Sequence, residues 1–133
     1  MNFEELAKRC EDANGPDRNL DNDIMAALFR RESRYIGCQE EQDDGSWAPF
    51  MDDVWVDPKT DQWIGTHARE FTSSIDQAMT LAEGLRGLSL MQRSNPDMGG
   101  RDWLASAGSL RSAARSWPLA LCAVGLRELA RRT

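Results

Sequence analysis

Ser116-Trp-Pro-Leu-Ala-Leu-Cys-Ala-Val-Gly-Leu-Arg-Glu-Leu-Ala-Arg-Arg132 is the stretch that decides the fold. Pro118 falls in the first turn after Ser116, where a helix can do without an amide donor and a serine hydroxyl can cap the amides behind it. Leu119, Cys122, Ala123, Leu126 and Ala130 then recur at three- and four-residue steps, the apolar stripe of a helix. Arg127, Arg131 and Arg132 fall towards its end, where cations meet the negative pole of the helix dipole. Ala120, Ala123 and Gly125 run among the larger residues, so this helix is expected to lie close to a sheet.

Upstream, the chain alternates between helical and strand patterns. Phe3, Leu6, Ala7 and Cys10 step at helical spacing, and Asn14-Gly15-Pro16 ends that helix. Asp17 is placed to cap a second helix carrying Leu20, Ile24, Ala27 and Leu28 on one face. Residues 31–50 show no sustained period and predict an exposed loop. Val54-Trp55-Val56 and Gln62-Trp63-Ile64, joined by Asp57-Pro58-Lys59-Thr60-Asp61, predict a hairpin with Asp57 facing Asp61 and Trp55 facing Trp63.

Ser74-Ile-Asp-Gln77 matches a capping box. It opens a third helix with Ile75, Ala78, Met79, Ala82 and Leu85 as its stripe and Gly84 as its stop. Strands are expected at Leu88–Gln92 and Asp102–Ala107, with a turn over Asn95–Gly100 between them. Strands of this kind need helices to cover them. The expected fold is α+β, with helices packed on both sides of a small antiparallel sheet, an α-β-α sandwich. Residues 1–133 read as a single domain, and 31–65 as an acidic, Trp-rich insertion with an exposed loop and hairpin.

Three segments carry a family resemblance. Leu6-Ala-Lys-Arg-Cys-Glu-Asp-Ala-Asn-Gly-Pro-Asp-Arg-Asn-Leu-Asp21, Phe71-Thr-Ser-Ser-Ile-Asp-Gln-Ala-Met-Thr-Leu81 and Trp117-Pro-Leu-Ala-Leu-Cys-Ala-Val-Gly-Leu126 together resemble the phage ABA sandwich proteins. These are small proteins of tailed bacteriophages and prophages. Residues 31–65 lie outside the resemblance, and 86–115 match it loosely. The resemblance implies the helix-covered sheet and a phage or prophage origin. It carries no catalytic residues.

Composition narrows the function. The chain has 133 residues, with 22 Asp and Glu against 16 Lys and Arg. The acid gathers at Glu40, Glu41, Asp43, Asp44, Asp52, Asp53, Asp57 and Asp61, which argues against direct duplex DNA binding. Lys8 and Lys59 are the only lysines, and the other cations are arginines, whose forks suit carboxylates and phosphates. Cys10, Cys38 and Cys122 are odd in number and widely spaced. No secretion leader precedes them and no apolar run approaches the ~20 residues of a membrane span. The cytoplasm, that of the host bacterial cell on the phage reading, is the expected compartment.

The residues do not spell a reaction. His67 is the single histidine, and no Gly-x-Ser-x-Gly elbow or local cysteine nucleophile motif accompanies it. Cys38 and His67 lack the close partners that zinc needs, and the aspartates form no Asp-x-Asp-x-Asp-Gly calcium loop. No enzyme, metal or cofactor is expected. Gly99-Gly100 between Arg93 and Arg101 reads first as a plain inter-strand loop, whose backbone amides and two guanidinium forks could grip an anion.

Trp47, Phe50, Trp55 and Trp63 crowd together, and indoles exposed on a hairpin stack bases or anchor protein partners. Binding without catalysis is the expectation. In its most concrete form it is a counter-defence sponge, a homo-oligomer that sequesters a nucleotide immune signal. Trp55 or Trp63 would stack the base, and Arg69, Arg86, Arg93 or Arg101 would meet the phosphates. The alternative is an acidic protein-interaction inhibitor that mimics nucleic acid against a host defence complex. A nucleotide-cleaving enzyme would need a base or metal that the sequence does not display.

Overall fold

The computed structural model describes residues 2–93 and 99–133, with Ile36 and Cys38 described by backbone alone. The described residues form four helices and two three-stranded antiparallel sheets, an α+β fold. They divide into two units. One joins residues 1–27 to 69–133, and the other is Leu28–Ala68.

The first unit is built on its last helix. Helices α1 (Phe3–Asp12), α2 (Arg18–Leu28), α3 (Ile75–Ala82) and α4 (Trp117–Arg132) each begin where the local chemistry predicts. Asn2 accepts from Glu5 N at 2.8 Å, Asp17 from Leu20 N at 3.1 Å, Ser74 from Gln77 N at 3.3 Å and Ser116 from Leu119 N at 3.4 Å. The capping box at Ser74 is half made, because Gln77 Oε1 accepts the amide of Glu70 instead of turning back to Ser74.

Helix α4 is more deeply enclosed than one stripe would require. Every residue from Leu119 to Leu126 is buried. Helices α1 and α3 pack on it, as do strands β5 (Trp103–Ala107) and β6 (Leu110–Ala114). Gly125 is its closest point of approach. A Cβ there would lie 2.6 Å from the carbonyl oxygen of Leu81 in α3, so the small residue serves helix-on-helix contact.

Other stripes shift by a residue or more from expectation. In α3 the buried positions are Ala78, Leu81 and Ala82, while Ile75 and Met79 are exposed. In α2 Met25 replaces Leu28 on the buried face. Strand β4 (Ser89–Gln92) pairs with β5, and β5 pairs with β6, a strand the sequence reading missed. Ala107 and Leu110 close a two-residue turn in which Gly108 holds φ +62°, which only glycine adopts readily. Trp103 and Trp117 meet with ring centroids 4.6 Å apart. Of the turn expected over Asn95–Gly100, residues 95–98 lie outside the described residues.

Polar groups stitch this unit together. Asp21 is fully buried in α2 and accepts from Thr72 N at 2.9 Å and from Arg18 Nη1 at 3.0 Å. Thr72 in turn accepts from Asp17 N at 2.8 Å. Arg127, expected only to complement a helix end, reaches Glu4 and Glu11 of α1 and donates to Ser112 Oγ of β6 at 3.1 Å. Cys122 is buried, its thiol donates to Phe71 O at 3.1 Å, and burial pushes its pKa well up.

The second unit is a sheet of order β1-β2-β3, from Arg30–Glu41, Trp47–Val56 and Trp63–Gly65. Most of the stretch expected to be irregular is therefore strand. The expected hairpin between β2 and β3 forms in another register. Asp57 N donates to Gln62 O at 2.9 Å and Asp61 takes φ +59°, so Trp63 faces Val56 and Trp55 faces Gly65. The Trp55–Trp63 pair does not form. Arg31 lies over the Trp55 ring instead, 4.9 Å from its centroid.

Candidate anion-binding pocket

Two C-terminal helix ends and one strand turn frame a pocket of about 380 Å³ in the first unit. The segment after α3 supplies Gly84, Leu85 and Arg86. The β5–β6 turn supplies Gly108 and Ser109, and the last turn of α4 supplies Glu128, Arg131 and Arg132. Three arginines and one carboxylate thus line it.

Glu128 organises the arginines. It is buried, and accepts from Arg131 Nε at 2.8 Å and Nη2 at 2.6 Å and from Arg132 Nε at 2.9 Å. Arg132 Nη2 also donates to the Gly84 carbonyl at 3.3 Å, which offsets the negative end of α3. These contacts hold two flexible side chains in place while leaving further N–H donors on each. Arg86 is exposed and has no ion-pair partner among the described residues. One carboxylate against three cations leaves the lining net positive in a chain of net charge −6. Such a cluster suits phosphate or carboxylate oxygens, which guanidinium forks bind with two parallel bonds.

The pairing gives a pH signature. Hydrogen bonding from Arg131, joined by Arg132, holds the Glu128 pKa below the usual carboxylate value and raises that of Arg131. A carboxylate whose folded pKa is depressed contributes stability above its unfolded pKa and loses it as pH falls through the folded value. Thermal melts of wild type and Glu128→Gln are therefore expected to differ at neutral pH and to converge on acidification. A gap unchanged down to pH values below the ordinary carboxylate range would contradict this.

The six residues chosen from sequence are dispersed. Trp55 and Trp63 belong to the Leu28–Ala68 unit, and the four arginines belong to the other. Trp55 is 8% exposed, with Arg31 against its ring, whereas Trp63 is 47% exposed. Arg86 lies in the pocket. Arg101 pairs with Asp12, and Arg115 beside it donates to the Asp12, Ala13 and Gly99 carbonyls at 3.0, 3.3 and 3.1 Å. Those guanidiniums brace the end of α1 and the Gly99-Gly100 turn. Arg93 Nε donates to Met91 Sδ at 3.0 Å, and Arg69 is half-buried, its carbonyl accepting from Arg18. Arg131, Arg132, Glu128 and Ser109 were missed. Gly108-Ser109 carried a readable hairpin signature, but nothing local tied that turn to the C-terminus.

Among the described residues no three His, Cys, Asp or Glu side chains gather as a metal site, and no helix is long and apolar enough to cross a membrane. No protein-family model, curated protein or solved structure matches the chain.

Proposed function

We propose that this chain is a phage or prophage accessory protein that acts by binding without catalysis. It sequesters a phosphate-bearing nucleotide signal in the cytoplasm of its bacterial host. The supporting observation is the pocket in which Arg86, Arg131 and Arg132 outnumber Glu128. Its volume falls in the range of small-molecule sites. Arg131 and Arg132 are already oriented by a buried carboxylate, which lowers the entropy cost of gripping an anion. Arg86 is the free arm that would close on the ligand. The α-β-α layering of the phage family and assembly into a homo-oligomer are parts of this same reading.

Calorimetric titration against cyclic and linear nucleotides, with inorganic phosphate as a control, tests it. Heat is expected with at least one nucleotide, the nucleotide should be recovered intact, and Arg86→Ala should weaken binding about tenfold. Silence across the panel would overturn the sponge, and a cleaved product would overturn the absence of catalysis.

The acidic-inhibitor alternative draws on the β1–β2 loop end, where Glu40, Glu41, Asp43 and Asp44 are exposed. Further down the sheet the acid is balanced. Arg30 and Arg34 both bond Glu32 and Asp61, at 2.6–3.1 Å. That weakens a continuous phosphate-like surface and makes the pocket the stronger basis.

A further inference from the structure

We propose that the free edge of β1 pairs with the same edge of a second copy, antiparallel across a two-fold axis at Gly37. This identifies a surface for the self-association in the reading above, yet it stands or falls separately from ligand binding. In the order β1-β2-β3 the outer edge of β1 has no partner strand among the described residues. The strand runs for 12 residues, about 40 Å of edge. Arg30, Arg31, Ser33, Tyr35, Gly37, Gln39, Glu40 and Glu41 along it are exposed. A row of unpaired N–H and C=O groups of that length is a template for another strand.

The charge order along the edge points to a second copy. Its first half carries Arg30, Arg31 and Arg34 against one Glu32, a net positive end, and its far end carries Glu40 and Glu41, followed by Asp43 and Asp44 in the turn. A uniformly basic partner would meet three arginines, and an acidic one would meet the carboxylates. A two-fold mate laid antiparallel meets opposite charge at both ends. With Gly37 on the axis, Arg34 faces Glu40 of the second copy, and Arg30 and Arg31 lie towards the turn that carries its Asp43 and Asp44.

The register also satisfies the backbone. Opposed residues on two identical antiparallel edges either both turn their amides outward or both turn them inward, so their numbers sum to an even value, as 34 and 40 do. The pairing of β1 with β2 is irregular between Tyr35 and Gln39, and Gly37 sits there at φ +88°. Placing the axis on that residue shares the bend equally between the copies. The resulting interface is isologous and closes on itself.

Light scattering on two charge-reversed variants tests this. Glu40→Arg with Asp43→Arg makes the edge predominantly basic, with Glu32 and Glu41 left, and Arg31→Glu with Arg34→Glu makes it mostly acidic. Wild type is expected to be a dimer, and each variant alone to weaken the dimer roughly tenfold or more through like charges directly opposed. An equimolar mixture of the two should regain dimer mass, because the two edges are then of opposite sign. A wild type that is monomeric at about 100 µM would overturn the proposal. So would a dimeric Glu40→Arg/Asp43→Arg variant, or a mixture that stays monomeric with both variants folded by circular dichroism. Arg31 and Arg34 have contacts within their own sheet, so their variant can fail to fold. Hydrogen exchange on wild type then decides: β1 amides should gain protection with concentration, and concentration-independent exchange contradicts the pairing.

Discussion

Substituting Gly125 by valine is expected to destabilise the fold by about 3 kcal/mol or more, seen as a lower midpoint in denaturant unfolding at unchanged slope. The Cβ alone would stand 2.6 Å from Leu81 O and 2.7 Å from Leu81 C. Both are backbone atoms of α3, so no side-chain rotation relieves the overlap. The helices must separate, and α4 holds its neighbours through Leu121, Cys122, Val124 and Leu126, all fully buried. Valine adds two further methyl groups to that overlap. Gly125→Ala separates the two effects, since alanine favours the helix by about 1 kcal/mol over glycine. Net destabilisation by alanine despite this preference would show that the close approach dominates. Stabilisation by alanine would show that α3 does not lie where the structure puts it.

Asp21→Ala is expected to lower stability by about 2–4 kcal/mol, roughly 6–16 °C in melting temperature. Asp21 is fully buried, and its carboxylate is the acceptor for the buried amide of Thr72 at 2.9 Å. Alanine leaves that amide without the Asp21 acceptor and breaks the Asp21–Arg18 ion pair. The Arg18 side chain is 52% exposed and can turn to water, so the amide left without Asp21 carries most of the loss. Asp21→Asn should cost less, because its amide oxygen can still accept from Thr72. Equal losses for alanine and asparagine would place the effect on the charge instead.

Both sites show where local sequence chemistry suffices and where it stops. The caps at Ser116, Ser74 and Asp17 act within a few residues of themselves, so these readings carried through to the structure, whereas α1 already ends at Asp12, ahead of Gly15-Pro16. Periodicity worked only where an element has one buried face. Strand β1 has none that is continuous: its described side chains are exposed or intermediate, and it showed no period to read. Helix α4 fails in the opposite sense, because burial on nearly all sides hides which face meets what.

Register and convergence lay further out of reach. The left-handed Asp61 lengthens the turn and moves Trp63 off Trp55, a backbone choice that Asp57-Pro58-Lys59-Thr60-Asp61 does not announce. Of the arginines chosen, Arg86 reached the pocket because it follows α3, whereas Arg101 found Asp12 far back in the chain. Arg131 and Arg132 read as helix-end charges until the fold set them beside Gly84 and the Gly108-Ser109 turn.

Residue-resolved NMR of the full chain, titrated with whichever nucleotide gives heat, measures the central claim directly. Saturable shifts are expected at the amides of Gly84, Arg86, Gly108, Ser109 and Arg131, and in Arg86→Ala they should need about tenfold more nucleotide to saturate. Shifts confined to the Trp47–Gly65 strands, or none at saturating nucleotide, would contradict an arginine pocket that holds the ligand.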